Sequence, residues 1–600
     1  MVSREETQRK LGLLSAGALQ HTPEQHYTVT DRLEERAAQT PVQCFLVWGD
    51  LEITYDDANR QANRYAHFAY TQGLRQGDVA ALMMENRPDF LYLWLGLAKI
   101  GCVAALINTH STGDALHHAV VTATGSKLLF VGSECISNLD HCEELKTQAT
   151  TFVVPDTDGA ETARCTSVLT EQLLNSPDSN PDKILRSSVI GESLFCLVFT
   201  SGTTGLPKAA KITHMRWLGT GDGWTKMLSH SAQDVFYCVL PLYHVAAGMS
   251  LLSQALACGG RILLRRNFSA SRFWDDVRKH NVTVTQYSGE MCRYLVNQPP
   301  RPNDRQHPLR VMSGAGLTED VWQRFVERFG VEQILEGFGG TEVNCNLLNV
   351  DNKIGSCGRI PDKNLSNARL VKYDRQNGDY VRNADGFVLE CEAGEVGELL
   401  GMIVNIPGVG AGRFDGYTDI EATEKKVLRN AFQPGDAWFR TGDLFKRDED
   451  DYFYFVDRTG DTYRWKSENV STTEVANTLG DYDGLDIVSV YGVAIPGQEG
   501  RAGMAAVVMQ PNSPFDPESF FKLATQRLPD YAVPVFIRDC QQADITPTFK
   551  LRKVDLKAAG YGQYNSEDTL YVLDKDNQTY ALLTNESLAR LCISVFKSEV

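Results

Sequence analysis

Between Phe199 and Lys208 the chain reads Phe-Thr-Ser-Gly-Thr-Thr-Gly-Leu-Pro-Lys, a run of small and hydroxyl-bearing residues that closes on a lysine. Thr200, Ser201, Thr203 and Thr204 offer hydroxyl donors, Gly202 and Gly205 let backbone N–H groups turn toward an anion, and Lys208 adds an ammonium. Such a set suits nucleotide phosphates, a triphosphate above all. It is not the commoner phosphate loop, in which a lysine directly follows the second glycine and precedes Ser or Thr. Here Lys208 stands three residues beyond Gly205 and Ala209 follows it. Standing alone, a Ser/Thr/Gly cluster of this kind is most often a surface turn.

The loop does not stand alone. Phe338-Gly339-Gly340-Thr341-Glu342, Arg440-Thr441-Gly442-Asp443 and Asp457-Arg458-Thr459-Gly460-Asp461 follow it, and in this order the segments resemble the acyl-adenylate-forming (AMP-binding) superfamily. Within it, Pro241-Leu242-Tyr243-His244, the run Phe268 to Asp276, Tyr463 to Val475 and Glu499 to Met504 look like the fatty acid transport protein and very-long-chain acyl-CoA synthetase branch. The likeness extends from about residue 25 to the C-terminus.

That resemblance implies attack of a carboxylate on the α-phosphorus of ATP, chemistry that asks for positioning and charge neutralisation more than for a strong base. It implies that Thr200, Ser201, Gly202, Thr203, Thr204 and Gly205 wrap the β- and γ-phosphates with Lys208 nearby. Glu342 would hold Mg2+ through a hard oxygen ligand, and Thr341 would touch the α-phosphate. Phe338 would lie on the adenine face, Gly339 and Gly340 would let the base approach the backbone, and Gly314-Ala315-Gly316 would line the opposite side. Asp443, an acceptor only, would bind both ribose hydroxyls, and Arg458 would steady ribose and phosphate. In isolation the dull readings win: Asp443 as a turn former, Arg458 as a surface cation, Glu342 as a helix cap.

The family's Pro-Lys-Thr-x-x-Gly-Lys is shortened here to Pro547-Thr548-Phe549-Lys550-Leu551-Arg552-Lys553. Lys550 is taken as the ammonium bridging carboxylate and phosphate oxygens, with Lys553 its competitor, so that Lys550, Thr203 and Glu342 make up the catalytic set. The resemblance also implies that the thiol of CoA then reaches the same carbonyl after the small domain turns about Arg458 to Asp461, with Gly460 as the pivot. Trp465 to Asn469 would face the pantetheine arm, with Ser467 where related sequences often carry glycine. Tyr243 and His244 would border the acyl pocket, although a histidine after Pro-Leu-Tyr is by default a packed core residue. Ser288 and Val343 fall in what resembles its wall.

Positioning these residues calls for an α/β fold. From about Thr54 to Val350 helical patterns alternate with short apolar runs such as Val79 to Met83, Lys127 to Val131 and Val235 to Leu240, which argues parallel sheet under covering helices. Leu194 to Phe199 read as a buried strand feeding the phosphate loop, and the polar stretch Pro155 to Glu192 as an exposed connection before it. Residues 394 to 456 read as a β-rich subdomain and the rest as a compact α+β module. The expected organisation is a large adenylation domain over residues 1–459 and a smaller mobile domain over 460–600.

Of 600 residues, 59 are basic and 76 acidic, for a net charge of −17 without a Lys/Arg-rich run, so nucleic acid has no electrostatic footprint. The 14 cysteines fall as singles with no zinc-type spacing, the pattern of a reducing compartment. Met1 to Gln25 lack the apolar core of a secretory signal, and Lys597-Ser598-Glu599-Val600 is not a peroxisomal tripeptide. Phe90 to Ile107 is the one long apolar run, but Lys99 near its middle favours a buried helix running into a strand over a membrane span.

The leading expectation is an intracellular ligase that uses ATP, Mg2+ and CoA on a long- or very-long-chain fatty acid, with peripheral membrane contact and oligomeric state left open. One alternative keeps the reaction but takes a peptide- or amino-bearing acid. Another is a lipid-uptake or lipid-binding protein with a vestigial site, against which Thr203, Glu342 and Asp443 all stand. A serine hydrolase is excluded by the lack of a Gly-x-Ser-x-Gly elbow.

Overall fold

The computed structural model describes residues 2–140, 142–156, 167–200, 206–374, 377–465, 468–496, 498, 500–541, 553–562, 567–591 and 593. They divide into two compact units, one of residues 1–369 and 400–441, the other of 370–399 and 442–600.

The larger unit is built on two sheets. In the six-stranded one the order is Thr150–Val154, Leu128–Gly132, Val79–Met83, Val103–Leu106, Leu194–Thr200 and Lys208–Thr213, parallel except for the last pair. In the eight-stranded one Gln333–Phe338, Val311–Ala315, Val284–Ser288, Val235–Cys238, Arg261–Leu264 and Cys44–Trp48 run parallel, with antiparallel strands only at the two edges. The strand sequences are near-continuous apolar runs because helices cover both faces of such sheets.

Pro88–Lys99 followed by Val103–Leu106 is the expected helix running into a strand. Pro88 starts it, since the first helical position needs no N–H donor. Trp94 of this helix stacks on Phe195 at 5.0 Å between ring centroids and so braces the strand that leads to the phosphate loop. Lys99 is fully buried, and its ammonium is answered by Glu34 at 2.9 Å and by Asn180. Burial pushes its pKa down to about 8 against the pull of Glu34.

The stretch expected to be an exposed connection carries more structure than that. Residues Ser167–Asn175 form a helix, and Arg186 is buried with Glu34 at 2.8 Å and Asp31 at 3.2 Å. Arg64 donates to the carbonyls of Leu173, Leu174 and Ser176. No helix among the described residues is long and apolar enough to cross a membrane.

The smaller unit holds a five-stranded sheet in the order Leu485–Val493, Ala502–Met509, Phe536–Asp539, Thr569–Asp574 and Thr579–Leu582, antiparallel except between the second and third strands. Helix Thr472–Leu479 buries Val475 and Leu479 in its core. Helix Pro517–Arg527 buries Phe520 against Tyr580, the rings 5.9 Å apart. The same unit contains the hairpin in which Asp443 pairs with Arg458.

Candidate active site

In the larger unit the residues singled out from the sequence gather at strand ends. Ser288, Ala315 and Phe338 are the last residues of three adjacent parallel strands, so the segments that follow them open at one carboxyl edge, where ligands of α/β sheets bind. Thr200 ends its strand and pairs across the hairpin with Lys208. Ser201, Gly202, Thr203, Thr204 and Gly205 lie outside the described residues.

Glu336 is the residue here that sequence reasoning missed. Its buried carboxylate takes hydrogen bonds from the Gly316 N–H at 2.7 Å, the Leu317 N–H at 3.3 Å and the Tyr287 hydroxyl at 2.7 Å. It thereby fixes the Gly314-Ala315-Gly316 turn. Glycine is required at the close approaches: a Cβ on Gly314 would stand 2.2 Å from the Tyr287 carbonyl oxygen, and one on Gly289 1.7 Å from that of Gly316. Gly289→Ala is therefore expected to push the turn outward, with about 1–3 kcal/mol of overpacking and weaker ATP binding in calorimetric titration. Unchanged nucleotide affinity would detach the turn from the nucleotide.

After Phe338 the chain turns through Gly339 and Gly340 to Thr341 and Glu342. The Tyr417 hydroxyl donates to Glu342 Oε1 at 2.7 Å. Tyr417 is 3 % exposed and packs with Ala210 and Ala422. Burial, and next the neighbouring Glu342, push its phenol pKa far up, so it stays a donor. Its place is set by backbone pairing: the Lys211 N–H donates to the Gly416 carbonyl at 3.1 Å and the Thr418 N–H to that of Ala209 at 3.0 Å, adding a short segment to the edge strand Lys208–Thr213. Lys208 Nζ lies 5.7 Å from the Tyr417 ring centre. Arg216 holds the next backbone carbonyl, that of Val343, at 3.1 Å. Burial lowers the pKa of Arg216 and raises that of Asp415, each opposed by the other's charge.

Tyr243 is buried and His244 half-buried, their rings 4.8 Å apart, and Thr109 donates to the Tyr243 hydroxyl at 3.4 Å. Burial pushes His244 down to about 4, so it is neutral at physiological pH. Asn86 clamps this segment through the Leu240 carbonyl at 2.9 Å and the Leu242 N–H at 2.8 Å. His244 precedes a π-helical turn, Val245–Leu251, a form common at functional sites.

In the smaller unit Asp443 is buried and Arg458 Nε approaches its Oδ1 at 3.3 Å. The preceding Gly442 has φ of 78° and donates to buried Glu398, which also accepts from Tyr380 at 2.9 Å. Asp457 accepts from the Arg458 and Thr472 N–H groups at 2.8 and 2.6 Å, tying the strand to helix Thr472–Leu479. Gly460 has open space around its Cα and no left-handed φ, so nothing in this conformation demands glycine there. Lys550 lies outside the described residues. Lys553 donates to Thr472 Oγ1 at 3.3 Å and stands 3.8 Å from Asp461, to which Lys557 closes at 2.6 Å.

A family model described as AMP-binding enzyme matches residues 33–405. Long-chain fatty acid transport protein 2 of Rattus norvegicus is 40% identical over 559 residues, spanning 92% of this chain and 88% of the relative. The medium/long-chain-fatty-acid–CoA ligase FadD6 of Mycobacterium tuberculosis is 38% identical over 548 residues, 91% of this chain and 88% of the relative. Among solved structures, ATP-bound MatB from Rhodopseudomonas palustris superposes with a TM-score of 0.71 at 20% identity, covering 88% of this chain and 98% of that one.

Proposed function

Because this chain belongs to the AMP-binding enzyme family, we propose that it is an acid–CoA ligase that joins a long- or very-long-chain fatty acid to AMP and passes the acyl group to CoA. The rat relative is named a long-chain fatty acid transport protein and the mycobacterial one a fatty-acid–CoA ligase, and both align with more than nine-tenths of the chain, 92% and 91%. The observation that carries the reading is Tyr417, which ties the Thr200–Lys208 hairpin of one sheet to Glu342 at the edge of the other.

In the first half-reaction a carboxylate oxygen bonds to the α-phosphorus of ATP and pyrophosphate leaves. Thr200 to Gly205 and Lys208 hold the outer phosphates, Thr341 the α-phosphate, Phe338 and the Gly314 turn the adenine, and Asp443 with Arg458 the ribose. Lys550 bridges the two reacting oxygens. Glu342 suits Mg2+: its carboxylate offers hard oxygen ligands, Tyr417 occupies Oε1, and magnesium is commonly held by one carboxylate with phosphate oxygens and water. The ion, when bound, neutralises phosphate charge. In the second half-reaction the CoA sulfur bonds to the acyl carbon and AMP leaves, after residues 460–600 turn about Gly460.

Pyrophosphate release measured over a panel of straight-chain and amino-bearing acids is expected to require ATP and Mg2+, to be greatest with long straight chains, and to yield acyl-CoA once CoA is added. Release that prefers amino-bearing acids would change the substrate, and nucleotide binding without turnover of any acid would end the ligase reading.

A further inference from the structure

Glu342 lies on a glycine-rich turn, and a carboxylate so placed has several rotamers open to it. Among the described residues the one hydrogen bond it accepts is on Oε1, from Tyr417 at 2.7 Å. The tyrosine is itself immobilised. Its backbone N–H donates to Thr423 Oγ1 at 2.9 Å, its neighbours pair with the edge strand on both sides, and Gly416 before it adopts φ of 74° with Thr423 packed against its Cα. Its ring faces the ammonium of Lys208, the residue across the hairpin from Thr200. One buried phenol is thus in register with both the metal-binding carboxylate and the phosphate-loop lysine.

We propose that Tyr417 is a positioning residue that holds Glu342 in the orientation a divalent cation needs, leaving Oε2 for the ion, and that keeps this carboxylate in step with the phosphate-loop hairpin. The proposal rests on the ligase reading through the metal role of Glu342. An oriented carboxylate binds a metal more tightly than a free one, and loss of such an outer partner weakens metal binding by about tenfold or more. Among the described residues Tyr417 meets only Glu342 through its hydroxyl, so removing the oxygen alone separates orientation from packing.

The test uses the full chain and ATP without acid, so that nothing turns over. Calorimetric ATP titrations over a series of MgCl2 concentrations give the half-saturating Mg2+, and electron paramagnetic resonance with MnCl2 and ATP gives cation binding directly. Tyr417→Phe is expected to raise the half-saturating Mg2+ about tenfold and to weaken Mn2+ binding in parallel, with ATP affinity recovered at high Mg2+. Glu342→Gln should bind the cation weakly whether or not Tyr417 is replaced. Should Tyr417→Phe prove unstable, Thr423→Val, which frees the Tyr417 backbone instead, is expected to move the same readout in the same direction. A half-saturating Mg2+ within twofold of the unmodified chain would overturn the proposal while leaving the ligase reading intact. Failure of the unmodified chain to bind Mg·ATP would overturn both.

Discussion

Replacing Asp568 with alanine is expected to destabilise the smaller unit by about 3–5 kcal/mol, the cost of leaving a buried charge without its partner. The charge is Arg538, at 0 % exposure. Its Nη1 reaches Asp568 Oδ2 at 3.1 Å, and its Nη2 donates to the carbonyls of Gly560 and Gly562, each at 2.8 Å. These carbonyls follow the helix Lys553–Ala559, so one guanidinium pins the end of that helix to the strand Phe536–Asp539. Without Asp568 the guanidinium either drags water inward or pulls away and releases the helix. Denaturant unfolding should report the loss, and hydrogen exchange should locate it in the peptides of that strand and helix. The double substitution Arg538→Met with Asp568→Leu should regain only part of the stability, because an apolar pair removes the uncompensated charge but takes the donor away from the Gly560 and Gly562 carbonyls. A single substitution within about 0.5 kcal/mol of the unmodified chain, the range of ordinary surface changes, would show that water already reaches the pair.

How far the sequence foretold these arrangements depends on how local each signal is. The strand Leu194–Thr200 and the helix Pro88–Lys99 were legible because their patterns are contained within a few residues. The turn of Gly314 was legible only as a family feature, whereas Glu336, which holds it, lies mid-strand, where a charged residue gives no periodic cue. Tyr417 escaped for the same reason. It falls within the stretch read as β-rich with no motif of its own, and only pairing of its neighbours with Lys211 and Ala209, far off in the chain, gives the phenol a role. The connection before the phosphate loop read as solvent-exposed, as most of its described residues are, but composition alone does not reveal that Arg186 finds Glu34 and Asp31. Motifs name the groups that touch ligand; the groups that aim them are found only once distant segments meet.

Two lysines that the sequence left in competition, Lys550 and Lys553, are expected to differ in role. Lys550→Ala is expected to slow acyl-adenylate formation about 10²–10³-fold, the usual effect of removing a donor aimed at developing charge, while Lys553→Met leaves that step within a few-fold. Lys553 is already committed: its ammonium is partly buried between Thr472 and Asp461, and Thr472 is in turn held by Asp457. Burial lowers its pKa, with Asp461 and Asp457 opposing. Burial alone would raise the pKa of Asp461, but Lys553 and Lys557 together hold it below the ordinary carboxylate range. A cation shared in this way steadies the turn from Arg458 to Asp461 and is poorly placed to leave for a phosphate. Lys553→Met should therefore act on the proposed pivot, changing thioester formation more than adenylation. Pyrophosphate exchange reads the first half-reaction, and acyl transfer from preformed acyl-AMP to CoA reads the second. If Lys553→Met abolished exchange and Lys550→Ala spared it, the two assignments would be reversed, and the contacts of Lys553 with Thr472 and Asp461 would belong to a resting state that the lysine abandons when ATP binds.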